Sequence, residues 1–424
     1  VFAKDYYMKK QNTILKSAAT LFAALFFFSY AASANVIPQG KWLGHLQLND
    51  STQLPFRFEV KYDLDIYTVT FINAEERIDT RELSVNKDSV FIRMPVFDSE
   101  FRLQMREGNK MQGVWINHGR KDKNVIPFTA ERGTKSLYES AGAPVLKPVL
   151  TEGKWETTFS AGTKDESKAI GIFRQEGSFL QGTFLTETGD YRFLEGQEYS
   201  PGRIALGCFD GAHAFLFTAQ VRGDSIVNGH FYSGAHWHEP WAAKRNDKFE
   251  LRNPDSLTYL KPGFSKVDFS FKDLGGKTVS LSDPKYKGKV VIIQVMGSWC
   301  PNCMDETKFL APFYDRYHKK GLEVIGLAFE RTDDFNKAVS NVSRLKGRFH
   351  ADYDFLITMK TGAQQASEAL PMLNGIMAFP TTIYIDKKGK VRKIYTGFNG
   401  PATGNAYTKY VEDTTNFVEK LLRE

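Results

Sequence analysis

Trp299-Cys300-Pro301-Asn302-Cys303 sets two thiols three positions apart, between the apolar run Val290–Met296 and a stretch, residues 304–320, patterned as a helix. A Cys-x-x-Cys pair at a strand-to-helix junction can interconvert between dithiol and disulfide. The helix N-terminus offers unpaired N–H groups and positive potential, which favour thiolate at the first sulfur. Cys300 is therefore the expected nucleophile. Cys303, one turn in, is expected to be more buried and to resolve a mixed disulfide by attacking Cys300. Half of a zinc site is the competing use of such a pair. It lacks a second half: the third cysteine is Cys208, and His318 and His350 have no compact ligand spacing. Glu306 lies three residues after Cys303, so helical spacing keeps its carboxylate near the dithiol face. A solvated first-turn carboxylate is the plainer alternative. Asp305 is expected to point elsewhere.

Around this pair lie 424 residues with 56 Lys+Arg against 49 Asp+Glu, a net charge of +7. That length predicts two to three domains with ample hydrophobic cores, so disulfide stapling is not needed for folding. The charge is spread without a basic block, which gives nucleic-acid binding no support. From Met8 the chain reads as an export signal: Lys9 and Lys10, the apolar residues 21–32, then Ala32-Ser33-Ala34 before Asn35. The apolar stretch is shorter than a membrane span requires. Residues 1–34 are thus expected to be a leader with a non-native or misassigned start, cleaved near Ala34–Asn35. The mature chain is expected to be periplasmic, with no stable membrane span.

Two segments echo one another. Gly40-Lys41-Trp42 matches Gly153-Lys154-Trp155, Phe97-Asp98 matches Phe209-Asp210, and Ala130-Glu131-Arg132 matches Ala243-Lys244-Arg245, at nearly constant offsets. This predicts a duplication: repeat 1 at 35–132, a linker at 133–150, repeat 2 at 151–246 and a linker at 247–262. Period-2 alternation, as in Phe56/Phe58/Val60, predicts an antiparallel meander of about eight short strands per copy, a barrel or a sandwich. In the alignment Val96 stands opposite Cys208, which marks Cys208 as a small buried hydrophobe. His236-Trp237-His238 would put two imidazoles on one strand face, within the reach of His213 or His230; solvent-facing or hydrogen-bonded histidines are the ordinary outcome.

From residue 263 the pattern changes to alternating strands and helices, with strands at 289–296, 322–329, 353–359, 381–385 and 391–395. Helices are expected at 332–346, at 363–373 and at the C-terminal end. That order predicts a mixed α/β sheet covered on both faces.

Residues 290–306, V-V-I-I-Q-V-M-G-S-W-C-P-N-C-M-D-E, together with Phe379-Pro380-Thr381-Thr382 and Ile385-Asp386-Lys387-Lys388-Gly389-Lys390, resemble the thioredoxin fold, specifically the TlpA/ResA-like secreted thiol-disulfide oxidoreductases. The resemblance covers 263–424. It implies that Pro380 is a cis-proline facing the dithiol, with the backbone of Phe379 offered to an extended substrate segment. It also implies that Trp299 is the aromatic flanking the sulfurs, and that Glu306 is a buried carboxylate moving protons to and from them. Gln294 stands where thioredoxin has a buried aspartate. A neutral amide cannot act as a base, so proton handling falls more heavily on Glu306. Pro301-Asn302 departs from the family's usual pair between the sulfurs, which leaves the redox potential and direction open.

The implied function is reduction of disulfides in envelope proteins by the Cys300/Cys303 couple, which needs no cofactor and is recharged by a thiol donor protein. A disulfide oxidase or isomerase would use the same exchange. A third reading makes the duplicated β region a partner- or ligand-binding module with an accessory redox domain. Peroxidase chemistry lacks its Pro-x-x-x-Thr/Ser-x-x-Cys context.

Overall fold

Alternating apolar side chains fold the first copy into strands with one greasy face. In the computed structural model, which describes residues 37–107, 109–133, 135–138 and 147–424, nine strands form one antiparallel sheet. They are β1 (Gly40–Asn49), β2 (Thr52–Asp63), β3 (Ile66–Asn73), β4 (Glu76–Thr80), β5 (Leu83–Asn86), β6 (Ser89–Arg93), β7 (Ser99–Arg106), β8 (Lys110–Asn117) and β9 (Val125–Arg132). On β2, Phe56, Phe58 and Val60 point inward while Arg57 and Glu59 stay partly exposed, the alternation expected of a sheet with one buried face. The first strand pairs with both β2 and β9. Between β4 and β5 the chain turns a corner held by Arg93 N–H donating to Glu82 O at 2.9 Å. The sheet is therefore barrel-like, and the sandwich alternative is set aside. The export segment and its cleavage point lie outside the described residues.

The second copy repeats the plan. Its strands are β10 (Gly153–Phe159), β11 (Ser167–Glu176), β12 (Phe179–Thr186), β13 (Gly189–Asp190), β14 (Leu194–Ser200), β15 (Arg203–Phe209), β16 (Ala214–Arg222), β17 (Ser225–Ser233) and β18 (Trp237–Arg245). Here closure is complete, since β10 pairs with β18 and β11 with β12. The repeated tripeptides occupy matching registers, with Trp42 opposite Arg132 and Trp155 opposite Arg245. Gly40 and Gly153 share a left-handed backbone, φ of 121° and 119°, beside that arginine. Arg245 stacks 4.4 Å over the Trp155 ring. Cys208 lies inside the second barrel among Phe215, Phe217 and Leu206, and burial pushes its thiol well up from the ordinary range.

One loop is used twice. The β15–β16 loop of copy two enters the first barrel, where the Phe209 ring stacks on Phe56 at 4.5 Å and meets Trp115 edge-on. The amide of Asn73 bonds both backbone groups of Phe209 at 3.0 Å, and Asn117 donates to Ala212 O at 3.1 Å. The equivalent β6–β7 loop of copy one reaches the third module: Arg344 donates to Phe97 O at 3.4 Å, and Lys337 pairs with Asp98 at 3.3 Å.

The third module is a seven-stranded mixed sheet in the order β20-β19-β23-β22-β21-β24-β25. Its strands are β19 (Ser270–Asp273), β20 (Thr278–Ser280), β21 (Val290–Met296), β22 (Leu322–Ala328), β23 (Asp354–Ile357), β24 (Thr381–Ile385) and β25 (Val391–Thr396); its helices are α1 (Pro301–Tyr317), α2 (Phe335–Phe349), α3 (Gly362–Ala369) and α4 (Asn405–Arg423). Every residue of β21, β22 and β24 is buried, as helices on both faces require. Several helix boundaries differ from expectation, two of them for a local reason. The second helix starts at 335 rather than 332 because Asp334 caps it, accepting from Lys337 N at 3.1 Å. The third ends at Ala369 because Leu370 precedes Pro371, which forces it out of helical geometry. Among the described residues no helix is long and apolar enough to cross a membrane. Residues 39–424 pack as one unit.

Candidate active site

Strand β21, beside the central β22, ends at Met296, and the chain turns through Gly297, Ser298 and Trp299 into α1 with Cys300 as its N-cap. Pro301 follows at the first helical position, where its missing N–H costs nothing. A side chain on Gly297 would sit 2.2 Å from Trp299 Nε1, so glycine is what lets the indole fold back and donate to Phe329 O at 2.9 Å. Cys300 Sγ accepts from the N–H of Cys303 at 3.3 Å and, as a thiol, donates to Phe379 O at 3.3 Å. Cys300 is 7% exposed and Cys303 is fully enclosed. Burial pushes the Cys303 thiol far up, and the neighbouring Cys300 and Glu306 add to the rise.

The sequence-predicted residues converge here. The Phe379–Pro380 peptide is cis. The Trp299 ring meets Phe379 nearly edge-on at 5.3 Å. Glu306 is fully buried on the inner side of α1; its Oε1 accepts from Thr382 and, at 3.1 Å, from Tyr410, while Oε2 has no hydrogen-bond partner. Burial pushes its carboxyl up to about 7, against the lowering effect of those hydroxyls. Gln294 donates to Cys303 O at 3.1 Å and accepts from Thr307, so it braces the helix.

Asp305 corrects the expectation that it points idly elsewhere. It is buried and ion-paired with Arg192 of the second copy, whose guanidinium also meets Glu76 of the first copy and faces Asp210 at 3.3 Å. Arg192 Nη1 further donates to Pro301 O at 3.2 Å. Burial pushes Asp305 up to about 7, and Glu76 and Asp190 add to the rise while Arg192 opposes it. Asn302 donates to Asp190 O at 3.3 Å. The unusual residue between the sulfurs thus touches the second barrel rather than the cysteines.

Cys300 opens into a cleft of about 970 Å³ walled by all three modules: His118 to Arg120 from copy one, Glu187 to Tyr191 with His236 from copy two, and Ser298 to Asn302 with Glu330 and Arg331 from the third. Glu330 is buried and accepts from Ser298 N at 2.7 Å and Oγ at 2.6 Å, fixing the turn before Cys300. Arg331 stands over the Trp299 ring, its Cζ 3.7 Å from the centroid. Sequence reasoning missed both, although the carboxyl end of a parallel strand beside a strand-helix turn is where sites of this class gather. The paired-imidazole reading needs correction. His236 sits in the β17–β18 turn, not on the strand, while His238 meets His230 at 3.0 Å. Among the described residues no group of three or more His, Cys, Asp or Glu could hold a metal ion.

The Redoxin family model matches residues 262–410. The thiol-disulfide oxidoreductase ResA of Geobacillus thermodenitrificans is 31% identical over 140 residues, which are 33% of this chain and 72% of that protein. ResA of Bacillus thuringiensis subsp. konkukian is 32% identical over 132 residues, 31% of this chain and 68% of that protein. The crystal structure of a thiol:disulfide interchange protein of the thioredoxin family from Chlorobium tepidum aligns over 37% of this chain and 95% of that one, at 21% identity and a TM-score of 0.28.

Proposed function

Because this chain belongs to the ResA/TlpA-like thiol-disulfide oxidoreductases, we propose that it reduces disulfides of cell-envelope proteins through Cys300 and Cys303. The observation that carries the reading is the asymmetry of the two sulfurs. Cys300 lines the cleft at the helix N-terminus, and Cys303 lies fully enclosed one turn behind it. In the first step the Cys300 thiolate attacks one substrate sulfur, the substrate S–S bond breaks, and one substrate thiolate leaves and takes a proton. In the second, Cys303 loses its proton and attacks Cys300 Sγ, releasing the other substrate thiolate and closing the Cys300–Cys303 disulfide. Two electrons pass to the substrate, and a thiol donor protein returns them. No cofactor takes part.

Glu306 is the group that accepts the Cys303 proton, because its carboxyl is shifted to about 7 by burial and so titrates near the working pH. Phe379 and Pro380 line the sulfur where an extended substrate would lie, and Trp299 covers its flank. The segment from Met8 to Ala34 supports export to the periplasm.

Limiting iodoacetamide on reduced protein is expected to label Cys300 ahead of Cys303, and Cys303→Ser is expected to trap mixed disulfides through Cys300. Labelling of Cys303 first would overturn the assignment. The equilibrium potential against dithiothreitol decides the direction: a couple more oxidising than protein disulfide isomerases, above about −180 mV, would make the protein an oxidase instead.

A further inference from the structure

A dithiol that served any protein disulfide would stand on an open surface. Here Cys300 is 7% exposed, on the wall of a cleft whose volume, about 970 Å³, is at the upper end of what single small ligands occupy. Two guanidinium groups face that cleft with no carboxylate within ion-pair distance, although Asp122 and Glu330 lie near enough to act on them. Arg120 enters from the loop after β8; its Nε is buried with no hydrogen-bond partner. Arg331 lies over the Trp299 ring at 3.7 Å, beside Cys300. Among the described residues neither forms an ion pair within 4 Å, whereas most acids of the same wall are engaged: Asp98 pairs with Lys337 at 3.3 Å, Glu166 with Lys168 at 3.8 Å and Glu187 with Arg252, Asp190 accepts from Gly400 N at 2.5 Å, Glu239 and Glu330 accept from Ser160 and Ser298 at 2.6 Å, and Asp165 stands exposed.

We propose that this cleft admits an extended, acidic polypeptide segment, and that Arg120 and Arg331 bind the carboxylates flanking its disulfide-bonded cysteine. The inference rests on the exchange reading above and narrows its substrate to chains that are not yet folded. The walls contributed by the two β copies narrow the approach to Cys300, which favours a single strand of polypeptide over a folded surface. An incoming carboxylate would pair with Arg120 through the part of its guanidinium that stays accessible, and guanidinium–carboxylate pairs in a partly enclosed site are among the stronger charge-assisted hydrogen bonds. It would also separate two like charges: Arg331 is held below the ordinary arginine range chiefly by burial and then by Arg120. His236 adds no competing charge, since burial and Arg120 push it down to about 4.

The test uses the full chain with dithiothreitol as electron donor. Short unstructured peptides are joined by one disulfide, its cysteines flanked by Asp, Asn or Lys. Reduction is expected in the order Asp, Asn, Lys, with steps of about tenfold in kcat/KM carried mainly by KM. Arg120→Gln and Arg331→Gln should each shrink the Asp-to-Lys ratio about tenfold, with Arg120→Lys retaining part of it. Should either variant fold poorly, rising salt should raise KM for the Asp peptide of the parent protein and leave the Asn peptide's KM in place. Equal rates for all three peptides would overturn the charge recognition. A folded protein disulfide or glutathione disulfide reduced as fast as the Asp peptide would overturn the extended segment. Failure to reduce even the Asn peptide would sink the exchange reading itself, and this inference with it.

Discussion

Glu306 is an acid buried where acids are unstable, and the sign of that instability is testable. Its folded value stands near 7 instead of the ordinary 4.5, with burial the largest cause. Between those two values the folded chain holds a proton that the unfolded chain releases. Stability therefore falls as pH rises through that window and stays low above it. Glu306→Gln keeps an oxygen to accept from Thr382 and Tyr410 but carries no charge. The variant's thermal midpoint is expected to match the parent's near pH 4 and to exceed it at pH 8, while disulfide exchange slows and loses its titration near neutrality. Superimposable rate–pH curves would reduce Glu306 to a structural carboxylate. This residue was legible in the sequence because one helix carries it and both sulfurs. Arg120 and Arg192 were not, since the groups each one faces come from other modules and no local spacing records them.

At the scale of elements, the β15–β16 loop joins the two barrels. Burying a phenylalanine contributes about 1.5–3 kcal/mol, and deleting one from a packed site costs about 3–5 kcal/mol because a cavity remains. Phe209→Ala is thus expected to destabilise the first barrel, although the residue belongs to the second. Hydrogen exchange should rise in β2, β3 and β7, whose Phe56, Phe71 and Phe101 surround the ring. Faster exchange confined to β15 and β16 would contradict the plug. Strand patterning and the repeat were readable because alternation and matching tripeptides are local signals. The plug was not: Phe97 and Phe209 occupy the same slot of the repeat, yet one lines the cleft with its carbonyl bonded by Arg344 of α2 and the other fills a barrel interior. Only the neighbour decides which.

For the whole molecule, Arg192 is the point where the three modules meet. Its guanidinium is 1% exposed and stands among Glu76, Asp210 and Asp305, one carboxylate from each module or loop it joins. Removing one member of such a cluster leaves buried charge uncompensated, at a cost of about 3–5 kcal/mol. Arg192→Met is expected to lower the unfolding midpoint and to let limited proteolysis cut the 247–262 connection, freeing the redox module. An unchanged midpoint and an intact chain after protease would show that the β copies and the redox module hold together by other contacts.

The shared loop also bears on synthesis. A polypeptide leaves the ribosome N-terminus first, and most multidomain chains fold each unit as it emerges. The first barrel here cannot do so fully, because the ring that stacks on Phe56 arrives with residue 209, after most of the second barrel has been made. Until then its aromatic interior lacks its stopper. The nascent chain must hold an unfinished barrel through the translation of the next one, so the two copies complete their cores together rather than in turn.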